Sequence, residues 1–207
     1  MSRVLIASPT FENIQPDTFK AVWDLDKGEH DVIFDFVRGY DTASARNNIV
    51  SLAKGYEAEY ILMVDSDVTP KKDALLNLMS HGVDVVLGFY AHRNKHNEET
   101  LKTCLCKLGE INYTMQYTAD ELRKFRESGQ YLFRVHGGGM GCALIKTSVF
   151  DRIPYPWFDW RNYADEKHSL LSEDLHFCEQ CKYAGIKIFA DSRVSCGHMF
   201  RQLKYVD

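Results

Sequence analysis

The sequence predicts an α/β fold with a mostly parallel central sheet flanked by helices, and three observations predict it. Short apolar runs recur at residues 4–7, 31–37, 61–64, 83–90 and 142–145, and the most uniformly apolar of them read as strands buried on both faces. Helix-like stretches at 17–26, 42–56 and 70–81 separate the first four, and strands alternating with helices build a parallel sheet through crossovers. No repeat, linker or low-complexity segment interrupts the 207 residues. We therefore expect one domain over 1–207.

Each element has a local reason. Residues 4–7 form a strand that runs into Ser8-Pro9-Thr10, and Ala43, Ile49, Leu52 and Ala53 supply the apolar contacts of the 42–56 helix. After the 61–64 strand, Thr69 reads as the cap and Pro70 as the first turn of the 70–81 helix. Residues 91–103 are polar and rich in His, Asn and Lys, which predicts an irregular insertion. Cys104-Leu105-Cys106 alternates like a strand. Thr118-Ala119-Asp120-Glu121 is a capping-box sequence whose helix Gly129 is placed to end. Four glycines between 137 and 141 lead into the 142–145 strand, and Ser172 reads as the N-cap of a helix that opens with Glu173 and Asp174.

Composition bounds the function. The chain is 45% hydrophobic and 26% charged with a net charge of -4, which gives no general attraction to nucleic acid or anionic membranes. No apolar run approaches the roughly 18 residues that span a bilayer, and the N-terminus lacks signal-peptide character. The expectation is a cytoplasmic protein. Six cysteines without an export signal read as reduced packing residues, Cys178 and Cys181 included, because no second Cys-x-x-Cys completes a zinc site. Gly137, Gly138, Gly139 and Gly141 do not make Gly-x-Gly-x-x-Gly and precede a strand instead of following one, which argues against a nicotinamide or flavin enzyme.

The most telling stretch is Tyr60 to Pro70, where an apolar strand ends on Asp65-Ser66-Asp67. Two carboxylates at the carboxyl end of a parallel strand lie where open α/β sheets bind ligands, and a hard divalent cation is commonly held there by carboxylates and substrate phosphates. An isolated Asp-x-Asp is equally a turn capped by acidic side chains. With Ser8-Pro9-Thr10, Arg46-Asn47, the glycine-rich lead-in 137–141, Glu173-Asp174 and Cys196-Gly197-His198, the set resembles the GT-A glycosyltransferases, especially the family 2-like group.

That resemblance implies a Rossmann-like GT-A domain, with 1–90 as the nucleotide-binding half and 91–207 as the acceptor-binding half. It implies a metal-dependent transfer of sugar from a nucleotide-diphosphate sugar, a UDP-sugar first, to an acceptor hydroxyl with inversion. Asp67 becomes the direct ligand of Mn²⁺ or Mg²⁺, Asp65 reaches the metal or the ribose, and His198 is the third ligand. Pro9, Thr10 and Glu12 flank the base and ribose, Arg46 contacts the nucleotide, Gly138 and Gly139 line the sugar pocket, and Arg201 with Lys204 folds over the diphosphate. Asp174, beside Glu173, is the general base. Trp157, Asp159 and Trp160 offer aromatic faces and a carboxylate to the acceptor.

Two other readings stay open: a nucleotidyltransferase, and a non-catalytic sugar-nucleotide or carbohydrate-binding module. The acceptor is a glycan, a protein or another hydroxyl-bearing molecule. A nucleic-acid acceptor is compatible but not indicated, since Arg93, Lys95 and the nearby histidines are too sparse to select one.

Overall fold

The computed structural model describes residues 1–11, 13–92, 101–109, 115–161 and 171–199. Its elements are, in chain order, β1 (Arg3–Thr10), α1 (Pro16–Trp23), β2 (Asp31–Arg38), α2 (Thr42–Gly55), β3 (Tyr60–Val64), β4 (Val68–Thr69), α3 (Ala74–Met79) and β5 (Val85–Phe89). There follow β6 (Lys102–Cys106), β7 (Gln116–Thr118), α4 (Ala119–Glu127), β8 (Leu132–Val135), β9 (Gly137–Gly138) and β10 (Cys142–Lys146). A 3₁₀ turn (Thr147–Asp151), α5 (Glu173–Tyr183), β11 (Ile188–Ser195) and β12 (Gly197–His198) complete it.

A seven-stranded sheet in the order β2-β1-β3-β10-β5-β11-β8 forms the centre. The pairs β2–β1, β1–β3 and β5–β11 are parallel, whereas β10 runs antiparallel to both its neighbours and β8 antiparallel to β11. The sheet is therefore mixed and mostly parallel, as the apolar runs predict: β3 is buried from Ile61 to Val64, and β5 throughout. Buried apolar side chains from both faces join in one continuous cluster. Two small sheets, β12–β4 and β7–β6–β9, stand beside the main one.

Local chemistry sets the best-formed helix starts. At α4 the Thr118 hydroxyl accepts from the Glu121 N–H at 3.2 Å while the Glu121 carboxylate accepts from the Thr118 N–H at 2.9 Å, the reciprocal box the sequence predicts. Gly129, at φ +78°, ends the turn that follows α4. Asp41 and Ser44 form a second capping box at α2.

One expectation needs correcting. The helix expected over 70–81 is confined to Ala74–Met79, and Thr69 is not its cap. Val68 and Thr69 instead pair with His198 and Gly197 as a two-strand ribbon, a partnership between distant parts of the chain that no local pattern announces. The expected insertion at 91–103 lies largely outside the described residues, although Lys102–Cys106 forms the strand expected of the Cys104-Leu105-Cys106 pattern. All six cysteines are free and buried, and burial pushes the Cys104 and Cys181 thiols up to about 12. Among the described residues no helix is long and apolar enough to cross a membrane.

Candidate functional site

The carboxyl ends of β1, β3 and β5 and the amino end of β10 lie at one end of the main sheet, and Arg46, Asp65, Asp67, Glu173, Asp174 and His198 gather about it. The Asp65-Ser66-Asp67 turn is fixed by main-chain bonds from four directions. Asp65 N–H donates to the Gly141 carbonyl at 3.1 Å, and Val68 N–H to the Asp65 carbonyl at 3.0 Å. Gln15 N–H donates to the Ser66 carbonyl at 3.0 Å, and Met199 N–H to the Asp67 carbonyl at 2.9 Å. A turn so held presents its two carboxylates with little freedom.

Those carboxylates face different partners. Asp65 Oδ1 accepts from Arg46 Nη2 at 2.8 Å, and Arg46 Nη1 pairs with Glu173 Oε1. Arg46 is 1% exposed, although it lies on α2 where a nucleotide contact was expected. Burial opposes its charge, but the Asp65 and Glu173 carboxylates outweigh burial and hold the guanidinium protonated. Phe158 lies 5.9 Å from the guanidinium by its ring centroid. Burial drives the Glu173 carboxyl up to about 7 against the pull of Arg46. Glu173 is thus a buried partner of Arg46, not a group facing solvent.

Asp67 faces His198, with Oδ2 and Nε2 3.6 Å apart. His198 Nδ1 lies 2.7 Å from the Ala91 carbonyl, which can only accept, so Nδ1 carries a proton and Nε2 is the nitrogen turned toward Asp67. Tyr90 packs edge-on against the imidazole with centroids 4.9 Å apart. A main-chain bond that fixes the tautomer and orients the ring is the usual support of a metal-ligating histidine. Among the described residues no group of three His, Cys, Asp or Glu side chains could hold a metal by itself. Asp67 and His198 suit a hard or borderline divalent ion only if phosphate oxygens and water complete its shell, the arrangement Mg²⁺ and Mn²⁺ take in phosphate-binding sites.

Asp174 sits in the first turn of α5 and its Oδ1 accepts from Ser172 Oγ at 2.5 Å. Ser172 holds the N-cap position, but its hydroxyl serves this carboxylate and makes no bond to the helix backbone. The charges of Asp174 and Asp65 both act on Arg46 and Tyr90, so the two motifs share one electrostatic neighbourhood.

The glycines have a packing reason that sequence alone did not show. A Cβ on Gly139 would lie 2.2 Å from the Tyr90 hydroxyl, and one on Gly141 2.8 Å from both that hydroxyl and Asp65 Oδ2. Tyr90 Oη also accepts from the Gly141 N–H at 3.1 Å. Gly138 is buried, its Cβ direction blocked by the Cys104 carbonyl at 3.0 Å. Gly139 and Gly141 admit Tyr90 and the Asp65 turn to close approach.

Pro9 and Thr10 end β1 and are buried, with Thr10 Oγ1 donating to the Asn13 carbonyl at 3.0 Å. Glu12, Arg201 and Lys204 lie outside the described residues. Trp157 is tied into the scaffold, its indole N–H donating to the Phe150 carbonyl at 3.0 Å and its main-chain N–H to Asn47 Oδ1 at 3.1 Å. Trp160 is 42% exposed, and Asp159 pairs with Arg161 at 3.3 Å. Sequence reasoning assigned no role to Asn47, Tyr90 or Phe158. Asn47 clamps the chain at 157–158 through both ends of its amide, and its place beside Arg46 is the only signal that pointed to it.

No protein-family model and no curated protein matches this chain. Among solved structures, the crystal structure of A197 from STIV is similar with a TM-score of 0.64, covering 96% of this chain and 86% of that one. At 16% identity the likeness is one of fold.

Proposed function

We propose that the chain is a metal-dependent, inverting glycosyltransferase: one Rossmann-like GT-A domain that moves sugar from a nucleotide-diphosphate sugar, a UDP-sugar in the first instance, to an acceptor hydroxyl. One observation carries the reading: Asp65 and Asp67, Asp174 and His198, read from three distant places in the sequence, meet at the strand ends of a mostly parallel sheet, where ligands bind. A metal-free binding module has no need of an oriented histidine opposite Asp67 and an accessible carboxylate on the neighbouring helix. On this reading the protein works in the cytoplasm.

Asp67 and His198 would hold the Mn²⁺ or Mg²⁺ ion, which supplies Lewis-acid neutralisation of the departing diphosphate. Arg46 holds Asp65 aligned from inside the protein, so its role is positioning and not nucleotide contact. The Asp174 carboxylate takes the proton of the acceptor hydroxyl as that oxygen bonds to the anomeric carbon and the bond from this carbon to the nucleotide diphosphate breaks. A weak base suffices, because the hydroxyl becomes acidic only as its oxygen binds the electron-poor carbon.

Thermal unfolding against UDP, GDP, ADP and CMP, each with and without Mn²⁺, tests the reading. At about 100 times its dissociation constant one nucleotide should add roughly 2.7 kcal/mol, several degrees in a domain of this size. The shift should require Mn²⁺ and disappear in Asp67→Ala. It should survive in Asp174→Asn, which should instead abolish transfer. Absence of any metal-dependent shift overturns the assignment.

A further inference from the structure

We propose that the protein pairs with a second copy of itself through the outer edge of β2, continuing the central sheet across a two-fold axis at Phe34. Among the described residues the strand is last in the sheet order, and its inner edge is paired to β1 without a break from Asp31 to Arg38. Its outer edge therefore offers a row of main-chain N–H and carbonyl groups to another strand. Natural edges are protected by shortness, proline, bulges or charged side chains, lysine above all; the charges of this strand are Asp31, Asp35 and Arg38. This one is eight residues long, Asp-Val-Ile-Phe-Asp-Phe-Val-Arg, with no proline, glycine or lysine and no shift in its register.

An aromatic cluster lies on one face of that edge. Phe34 and Phe36 of β2 touch edge to face at 4.6 Å, Phe19 of α1 reaches them at 6.3 and 6.1 Å, and Trp23 stacks on Phe19 at 6.2 Å. Trp23 is nonetheless 70% exposed and Phe19 42%. Four rings in contact at the surface are the composition of an interface core, not of a solvated face.

The strand's own sequence selects the occupant. A two-fold axis perpendicular to a sheet sets antiparallel residues of equal parity opposite one another, so only every second register is open to two identical copies. With the axis at Phe34, that ring meets the partner's Phe34, Val32 meets the partner's Phe36, and Ile33 meets the partner's Asp35. Moving the axis to Asp35 sets Asp35 against the partner's Asp35. Moving it to Ile33 sets Asp31 against the partner's Asp35, twice. Like charges directly opposed destabilise a sheet pair, and the Phe34 register alone of the three avoids them. Because Phe19 lies on the Phe34 and Phe36 side, the same symmetry brings both copies of the α1 aromatic pair to one face, flanking the joined strands. This edge is separate from the Asp65–Asp67 site, and the inference does not depend on the function proposed there.

Sedimentation equilibrium of the full chain should give a species of twice 23.9 kDa. Phe34→Lys should raise the dimer dissociation constant about 100-fold by setting two ammonium groups in opposition. Under mild oxidation Phe34→Cys should crosslink into a covalent dimer while Asp35→Cys stays monomeric in denaturing gels, a readout that holds even if the lysine variant folds poorly. A wild type that remains monomeric at the highest soluble concentration overturns the proposal, as does a dimer crosslinked by Asp35→Cys but not by Phe34→Cys. A monomer that co-sediments with anionic phospholipid vesicles assigns the aromatic face to lipid and equally overturns it.

Discussion

Arg46 joins three elements through one side chain: it leaves α2, pairs with Asp65 at the end of β3 and with Glu173 at the start of α5. A guanidinium suits this place because its planar fork meets two carboxylates at once and stays charged when buried. Removing it strands two carboxylates in a water-poor interior. Arg46→Met should therefore lose about 3–5 kcal/mol of stability, the usual range for breaking a buried ion pair from one side, read as a lower urea midpoint with an unchanged slope. Arg46→Lys should recover part of the loss, since one ammonium satisfies one carboxylate well and the other poorly. Asp65 and Asp67 were legible in the sequence, because a strand ending in acidic residues is a local pattern. The burial of Arg46 was not, since Glu173 lies more than a hundred residues along the chain and nothing beside Arg46 announces it.

At the scale of elements, the helices with strong local signals start where the sequence says. The Thr118–Glu121 box is a contract among four consecutive residues and needs no tertiary help. The end of α3 is held differently. Asp191 on β11 is fully buried and accepts from Arg193 at 2.6 Å, and the His81 ring nitrogen lies 2.7 Å from it. Arg193 also reaches the Asn77 carbonyl at 3.4 Å and stacks over Tyr131 at 4.6 Å. This network fastens the α3 terminus to β11. Burial pushes the Asp191 carboxyl up, but the bonds from Arg193 and His81 outweigh it and hold it below its ordinary 3.8. With the folded value depressed, the unfolded chain binds protons first on acidification. The contribution is therefore present above about pH 4 and disappears as pH falls through the lower folded value. Asp191→Asn should be less stable than the wild type at pH 7, and the gap should close at low pH; chemical denaturation from pH 7 to pH 3 measures it.

For the whole molecule, the decisive fact is the strand order. β10 comes from residues 142–146 yet lies between β3 and β5, and β11 closes the other side of β5. The boundary at 90/91 therefore does not separate two folding units, because strands from both sides of it share one sheet. A fragment of residues 1–90 would expose the apolar edges and faces of β3 and β5 that β10 and β11 cover. It should show no cooperative thermal transition, whereas the full chain should, as near-ultraviolet circular dichroism would record.

The sequence by itself determined the α/β class, most strands, the capped helix at 119–127 and the acidic strand end, because apolar periodicity and capping act between residues close in the chain. Tertiary structure alone decided that β10 is inserted antiparallel, that Val68–Thr69 pairs with Gly197–His198, that Arg46 turns inward and that Gly139 and Gly141 make room for Tyr90. These are contacts between segments whose residues do not reveal their partners. They are set by the shared need to bury apolar surface while pairing the polar groups buried with it, a condition that only the assembled chain can meet.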